Sequence, residues 1–243
     1  MFKKLLPNAR KKMRKPQSQK LYRKHYLNIN SCYPSVFALK FFLGRNPELN
    51  LANVNFSGKK ILDIGFGDGR DLKLFQNLGL KTYGIEVDEE VVAHTYQKFP
   101  NKKNPLTLTT GFNDSTGYPS RSFDFVYSSA ALMYLRSETI TLQLILRHVH
   151  DILKKDGWFF GSFTKSDSHI TEGAKTIDCN RLYLSDPFYK QREGQIYYVH
   201  HSKKEVSTDL ENAGFLECKV FEYRADWFGT LESAFIFSAR KRS

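Results

Sequence analysis

Residues 63–69 read DIGFGDG, with glycines at 65, 67 and 69 and carboxylates at 63 and 68. A glycine turn of this kind brings backbone N–H groups up to a ligand, because a side chain would hold the ligand away and some turn positions need φ > 0. Where the turn opens a helix, the positive end of that helix faces the same ligand. The spacing is G-x-G-x-G, whereas dinucleotide sites use G-x-G-x-x-G. Asp63 beside the loop would repel a pyrophosphate and suits a cationic or amine-bearing ligand.

A second acid gives an independent reading. Glu86 in YGIEVD closes the next strand, at about the separation where a carboxylate meets a ribose hydroxyl pair in doubly wound folds. A cationic centre, an amine and a ribose together point to S-adenosylmethionine.

These residues need a scaffold, and the hydrophobic pattern supplies one. KKILDIG reads as a buried strand, GRDLKLFQNLG as a helix closed by Gly79, KTYGIEV as a strand and DEEVVAHTYQKF as a helix N-capped by Asp88. LTLTT and FDFVYSS follow as strands, then SETITLQLILRHVHDILKKDG as a long amphipathic helix ending at Gly157, and WFFGSFT as a strand. The alternation predicts an α/β chain with a doubly wound, mostly parallel sheet. Residues 165–193 break the pattern and read as an irregular polar insertion over the site. IYYVHH, a helix opened by the capping box Ser202 to Glu205, and the strands FLECKVFEYR and LESAFIFSARK complete the chain. Ahead of the alternation, SCYPSVFALKFFLGRNP predicts a helix started by Ser31 or Ser35 and stopped between Gly44 and Pro47. It reads as a cap from which Tyr22, Tyr26 and Tyr33 could close over the site. The division is a basic arm and cap helix over 1–54 and one domain over 55–243.

Charge separates the two parts. The net charge is +12. Twelve of the 37 Lys and Arg precede Glu48, the first acid, which leaves 25 cations against 25 acids in the remainder. Residues 1–20 therefore read as a weakly ordered basic arm whose counterpart would be an anionic membrane surface, an acidic substrate or nucleic acid. Cys32, Cys179 and Cys218 show neither disulfide nor metal-ligand spacing, so no metal site is expected and a reducing cytoplasm fits. No apolar run approaches the roughly 18–20 residues that span a bilayer.

Over roughly residues 55–240 the chain resembles the class I S-adenosylmethionine-dependent methyltransferases. ILDIGFGDG is similar to their glycine-rich first motif and YGIEVD to the motif whose acid holds the ribose. GFNDSTGYPSRSFDFVYSSAALMYL, LRHVHDILKKDGWFFGSF and SKKEVSTDLENAGF are similar to later segments. The resemblance implies a seven-stranded Rossmann-like sheet with its last strand antiparallel, here with an N-terminal helical extension. It also implies S-adenosylmethionine as donor and S-adenosylhomocysteine as product. By the same resemblance Asp63, Gly65, Gly67 and Gly69 would hold the methionine moiety and Glu86 the ribose. Asn113 or Asp114 would reach the adenine amino group, and Ser128 or Ser129 would lie beneath the methyl donor. Gly111 is followed by Phe112 and Asn113 where many relatives have glycine-aspartate.

Methyl transfer needs alignment and dryness, and a base when the acceptor is a hydroxyl. His169, His200 and His201 are candidate bases, with Tyr33, Tyr183, Arg192 and Tyr198 as acceptor-orienting groups. The fourth strand runs into Ser128-Ser129-Ala130-Ala131, which disfavours amine methylation on DNA bases, and no Pro-Cys pair serves cytosine C5 chemistry. The reading is O- or N-methylation of a small polar acceptor such as a sugar or polysaccharide precursor. An RNA methyltransferase gripping phosphates with the arm is the alternative, and nucleic acid is not favoured because the arm has few aromatics for stacking. An NAD-dependent oxidoreductase and a catalytically silent binding protein stand further off. Acceptor identity and oligomeric state have no signature in the sequence.

Overall fold

Four consecutive residues, Ile61–Ile64, are buried on both sides of their strand, as expected of a central parallel strand sandwiched between helices. The computed structural model describes residues 17–29, 33–44, 54–99, 106–187 and 190–242. In chain order these form α1 (Gln17–Asn28), α2 (Val36–Phe42), β1 (Lys60–Ile64), α3 (Arg70–Asn77), β2 (Lys81–Glu86), α4 (Glu89–Gln97), β3 (Leu106–Thr110), β4 (Phe123–Ser129) and β5 (Tyr134–Leu135). Then follow α5 (Leu142–Ile152), β6 (Leu153–Thr164), β7 (Lys175–Thr176), β8 (Arg181–Tyr183), β9 (Ile196–Tyr198), α6 (Lys203–Asn212), β10 (Leu216–Trp227) and β11 (Thr230–Arg240).

Seven strands form the main sheet in the order β10-β11-β6-β4-β1-β2-β3. The pairs from β6 to β3 are parallel, while β11 inserts antiparallel between β10 and β6. Strand order reverses between β1 and β4, and the crevice at their carboxyl ends is where ligands bind in sheets of this kind. One face carries the core around α5 and α6; the other carries an aromatic core of Phe41, Phe42, Phe75, Phe125, Tyr127 and Phe160 beneath α2 and α3.

The local signals mostly act as the sequence suggests. Asp88 accepts from the N–H groups of Glu90 and Val91 to cap α4, and Ser202 caps α6 by accepting from Glu205 N. Ser35, not Ser31, caps α2 through Ala38 N.

Four expectations change. The basic arm was expected to extend weakly ordered to residue 20, yet helix α1 begins at Gln17. α2 is not the cap: its Ala38, Phe41 and Phe42 are buried in the aromatic core, and α1 covers the crevice instead. The helix expected to run to Gly157 starts at its Thr141 cap and stops at Ile152, because buried Leu153 already pairs with Phe123 and Asp156 takes φ +61°. The insertion at 165–193 is not irregular throughout, since β7 and β8 join β9 and β5 in a small sheet of order β5-β9-β8-β7. Ser31, Cys32, residues 45–47 and the arm up to residue 16 lie outside the described residues. Among the described residues no helix is long and apolar enough to cross a membrane.

Candidate functional site

β1 delivers Asp63 to the crevice, and the chain then turns sharply through Gly65 and Gly67 at φ +77° and +56°. A Cβ at Gly65 would lie 2.3 Å from Ala131 Cβ, and one at Gly67 would lie 2.5 Å from Tyr26 Cε1, so neither position accepts a side chain. Gly69 is the uncapped first residue before α3. The turn is fastened to the next strand, because Gly65 N donates to Ile85 O at 2.8 Å and Gly67 N donates to Glu86 Oε2 at 3.2 Å.

Glu86 is buried at the end of β2, and its Oε1 accepts from Val87 N at 2.7 Å and from the Tyr22 hydroxyl of α1 at 2.8 Å. Burial pushes its pKa up, against the pull of those hydrogen bonds. Asp63 is pushed well above the usual carboxylate range, first by burial and then by the charges of Asp71 and Glu86. α1 is held across the site by Arg23, whose guanidinium pairs with Asp88 at 2.8 Å and with Glu90, and by Lys98 Nζ donating to Ile29 O. Between the two layers remains a cavity of about 150 Å³, lined by Asp63, Gly65, Gly67 and Ser129 on one side and by His25 and Tyr26 on the other.

The remaining sequence candidates divide clearly. Asn113 spends its amide N–H groups on the carbonyls of Ala131, Leu132 and Tyr134. Asp114 accepts from Arg136 at 2.9 Å through Oδ2, while its Oδ1 is buried without a hydrogen-bond partner. Ser128 is buried and donates to Ile64 O, so Ser129 is the serine that faces the cavity.

None of the three candidate bases lines this cavity. His200 is fully buried, bonded to Asp209 at 2.9 Å and stacked on Phe163. His201 is exposed and engages Cys179 O; His169 engages Leu231 O beside a separate depression. Tyr183 donates to Glu138, Tyr198 lies 3.5 Å from Asp209, and Tyr33 is 82% exposed, so none of these tyrosines reaches the cavity either. Arg192 does not line it either: paired with Asp186 at 3.5 Å, it acts through its charge on Tyr134 and on Tyr26 and His25 of the lining. Sequence reasoning missed His25, although Tyr22, His25 and Tyr26 at i, i+3 and i+4 mark one helical face.

Residues 40–215 match the family model of a methyltransferase domain. The chain belongs to this methyltransferase family. No curated protein sequence matches it. Among solved structures, a S-adenosylmethionine-dependent methyltransferase from Methanosarcina mazei is 20% identical with a TM-score of 0.61, covering 76% of this chain and 93% of its own. Phosphoethanolamine N-methyltransferase 2 of Haemonchus contortus, in complex with phosphomonomethylethanolamine and S-adenosylhomocysteine, is 14% identical with a TM-score of 0.64 over 94% of this chain and 59% of its own. The 1,6-didemethyltoxoflavin-N1-methyltransferase of Burkholderia thailandensis, with 1,6-didemethyltoxoflavin and S-adenosylhomocysteine bound, is 16% identical with a TM-score of 0.56, covering 92% of this chain and 88% of its own. At these identities the likeness is one of fold, and it extends over the Rossmann-like sheet and its antiparallel strands.

The methyltransferase takes its methyl group from S-adenosylmethionine. Two features bear on that donor: Gly65 and Gly67 line the cavity at positions that accept no side chain, and outside the cavity lining Asp114 Oδ1 is a buried acceptor without a hydrogen-bond partner. One contact stands in the way, because Tyr22 holds the Glu86 oxygen that a ribose hydroxyl would take.

Proposed function

We propose that this methyltransferase acts on an oxygen or nitrogen of a small polar acceptor, sugars and polysaccharide precursors included. The observation that carries the reading is the small cavity in which the glycine turn and Asp63 face a lid of aromatic and imidazole side chains. A long polymer needs an open groove beside the donor, whereas α1 covers this cavity, which favours an acceptor that enters whole.

Within this reading Asp63 and the turn at Gly65, Gly67 and Gly69 hold the methionine end, Glu86 the ribose and Asp114 the adenine amino group. Ser129 lies beneath the transferred methyl. Asn113 and Ser128 are then scaffold residues, since their hydrogen bonds go to the protein backbone. S-adenosylmethionine brings a methyl group already activated on a sulfonium. The chain therefore has to align the acceptor, exclude water and, for a hydroxyl acceptor, remove a proton. Tyr26 and the rest of α1 exclude water. His25 is the imidazole placed to accept a proton, and burial followed by the charge of Arg192 lowers its pKa, which keeps it neutral near pH 7. The charge of Arg192, felt by Tyr26 and His25 of the lining, favours hydroxyl or anionic groups on the acceptor. Support also comes from the Haemonchus and Burkholderia enzymes, whose bound acceptors are small molecules.

The test is turnover. The protein would be incubated with S-adenosylmethionine and, separately, nucleotide sugars, free sugars, phosphorylated amines and RNA, with S-adenosylhomocysteine quantified by chromatography. Product with a small acceptor supports the reading. Product with RNA alone overturns the acceptor assignment and leaves the donor assignment standing.

A further inference from the structure

α1 covers the donor crevice without being built into the core. None of the side chains described in α1, residues 19–28, is buried, whereas α2 buries Ala38, Phe41 and Phe42. An element with so few buried apolar contacts opens at low cost in free energy.

What docks α1 is polar. Arg23 Nε lies 3.1 Å from both carboxylate oxygens of Asp88, its Nη2 donates to Oδ2 at 2.8 Å, and its Nη1 reaches the exposed Glu90. Just past the end of α1, Ile29 O accepts from Lys98 Nζ at 2.9 Å. Asp88 and Lys98 are the two caps of α4, so the N-terminal helix is tied to both ends of a single neighbour.

In this placement α1 shuts the crevice. Tyr22 holds Glu86 Oε1, and its ring packs on that of Tyr26 with centroids 4.7 Å apart. Tyr26 in turn lies against the glycine turn, where a Cβ at Gly67 would be 2.5 Å from Cε1. The space left is about 150 Å³, whereas pockets for ligands of drug size run from about 300 to 1,000 Å³. S-adenosylmethionine, an adenosine carrying a whole methionine, does not enter while α1 is docked in this way.

We propose that α1 is a gate on the donor site, undocking as a unit to admit S-adenosylmethionine and closing again over it, with the hold of Arg23 on Asp88 and Glu90 as its latch. This role rests on the reading of Glu86 and the glycine turn as the donor site. The latch fastens α1 to α4, and Arg23 does not line the cavity. It holds the closed form both before and after the donor has entered. Loosening it therefore speeds entry and release alike and leaves affinity nearly unchanged, whereas Tyr22, which competes with the donor for Glu86, bears on affinity itself.

The experiment follows S-adenosylhomocysteine binding to the immobilised full chain by surface plasmon resonance, which yields both rates. In Arg23→Gln association and dissociation should each rise, by up to roughly fivefold, the range of an ion pair open to solvent. Glu90→Gln leaves the Asp88 cap intact and should act in the same direction to a smaller extent, which guards against a folding defect in the first variant. Added salt should speed both rates in the wild type and much less in Arg23→Gln, where the latch is already gone. Association unaltered by either variant and by salt overturns the proposal, because the donor would then reach the crevice with α1 in place. Faster dissociation alone overturns it too, since α1 would be a clasp on the bound donor and no barrier to its entry. Absence of binding in every form would instead remove the donor-site reading, and the gate with it.

Discussion

The Tyr22 hydroxyl donates to Glu86 Oε1 at 2.8 Å while Gly67 N holds Oε2, so a helix from the N-terminal segment occupies the carboxylate assigned to the ribose. A donor that uses Glu86 has to displace this hydroxyl. Tyr22→Phe keeps the ring against Tyr26 and removes only the competing donor. S-adenosylhomocysteine should then bind more tightly, by about 0.5–1.5 kcal/mol or up to roughly tenfold. Calorimetry decides it, and binding weakened by a similar amount would mean that Tyr22 stays with the donor and does not yield to it.

Asp63 gives a prediction about stability. Burial, then the charges of Asp71 and Glu86, hold its pKa well above the ordinary range, so the folded state binds a proton that the unfolded chain releases near pH 4. Folding therefore weakens as pH rises from that value to the folded pKa, and the full cost remains above it. Asp63→Asn removes the cost. The variant should melt higher at neutral pH, by roughly 2–4 °C for each kcal/mol relieved, with the gain vanishing below about pH 4, and it should bind S-adenosylhomocysteine poorly. Equal melting temperatures at neutral pH would show that the charge is compensated without a donor.

The parts of this site legible in the sequence are those fixed by local chemistry. Asp63, the glycines and Glu86 could be read because a turn needing φ > 0 and a strand-end acid leave compositional marks. The caps Asp88 and Ser202 were legible for the same reason. What brings α1 over the cavity is not local: Arg23 reaches Asp88, and Tyr22 reaches Glu86, across more than sixty residues. Basic residues dense enough to suggest disorder conceal that contact. The insertion histidines misled because a polar loop gives no sign of which side chains point inward. His200 is a core residue, while His169 is engaged by Leu231 O and His201 by Cys179 O.

The imidazole lining the cavity is His25, and kinetics should single it out. His169→Ala and His201→Ala should leave kcat/KM within about twofold, since neither lines the cavity. His200→Ala should cost roughly 2–4 kcal/mol of stability by opening a cavity against Phe163 and stranding Asp209. His25→Ala should slow methylation of a hydroxyl acceptor by about 10²–10⁴-fold. A base must be neutral, and burial, then Arg192, lowers the His25 pKa from 6.5, so the acid limb of kcat/KM should fall below that pH and disappear in the variant. A limb that persists in His25→Ala would assign the proton to another group.

Ser35 links the aromatic core to the cavity. Its hydroxyl accepts from Ala38 N to cap α2, donates to Asp71 Oδ2 at 2.8 Å and lies 3.0 Å from the Tyr127 hydroxyl, while its backbone N–H donates to Asp71 Oδ1. Asp71 in turn lines the donor cavity from the first turn of α3. Ser35→Ala removes a cap and leaves a buried carboxylate with one bond fewer, for a loss of about 1–3 kcal/mol. Thermal melting should register this as roughly 2–4 °C per kcal/mol. Ser35→Thr, which keeps both the cap and the donor, should recover most of it. Because burial already raises the Asp71 pKa, the lost hydrogen bond raises it further, so the defect should be largest above the folded pKa, where the carboxylate is charged, and shrink as pH falls. A deficit that does not change with pH would confine the role of Ser35 to the helix cap.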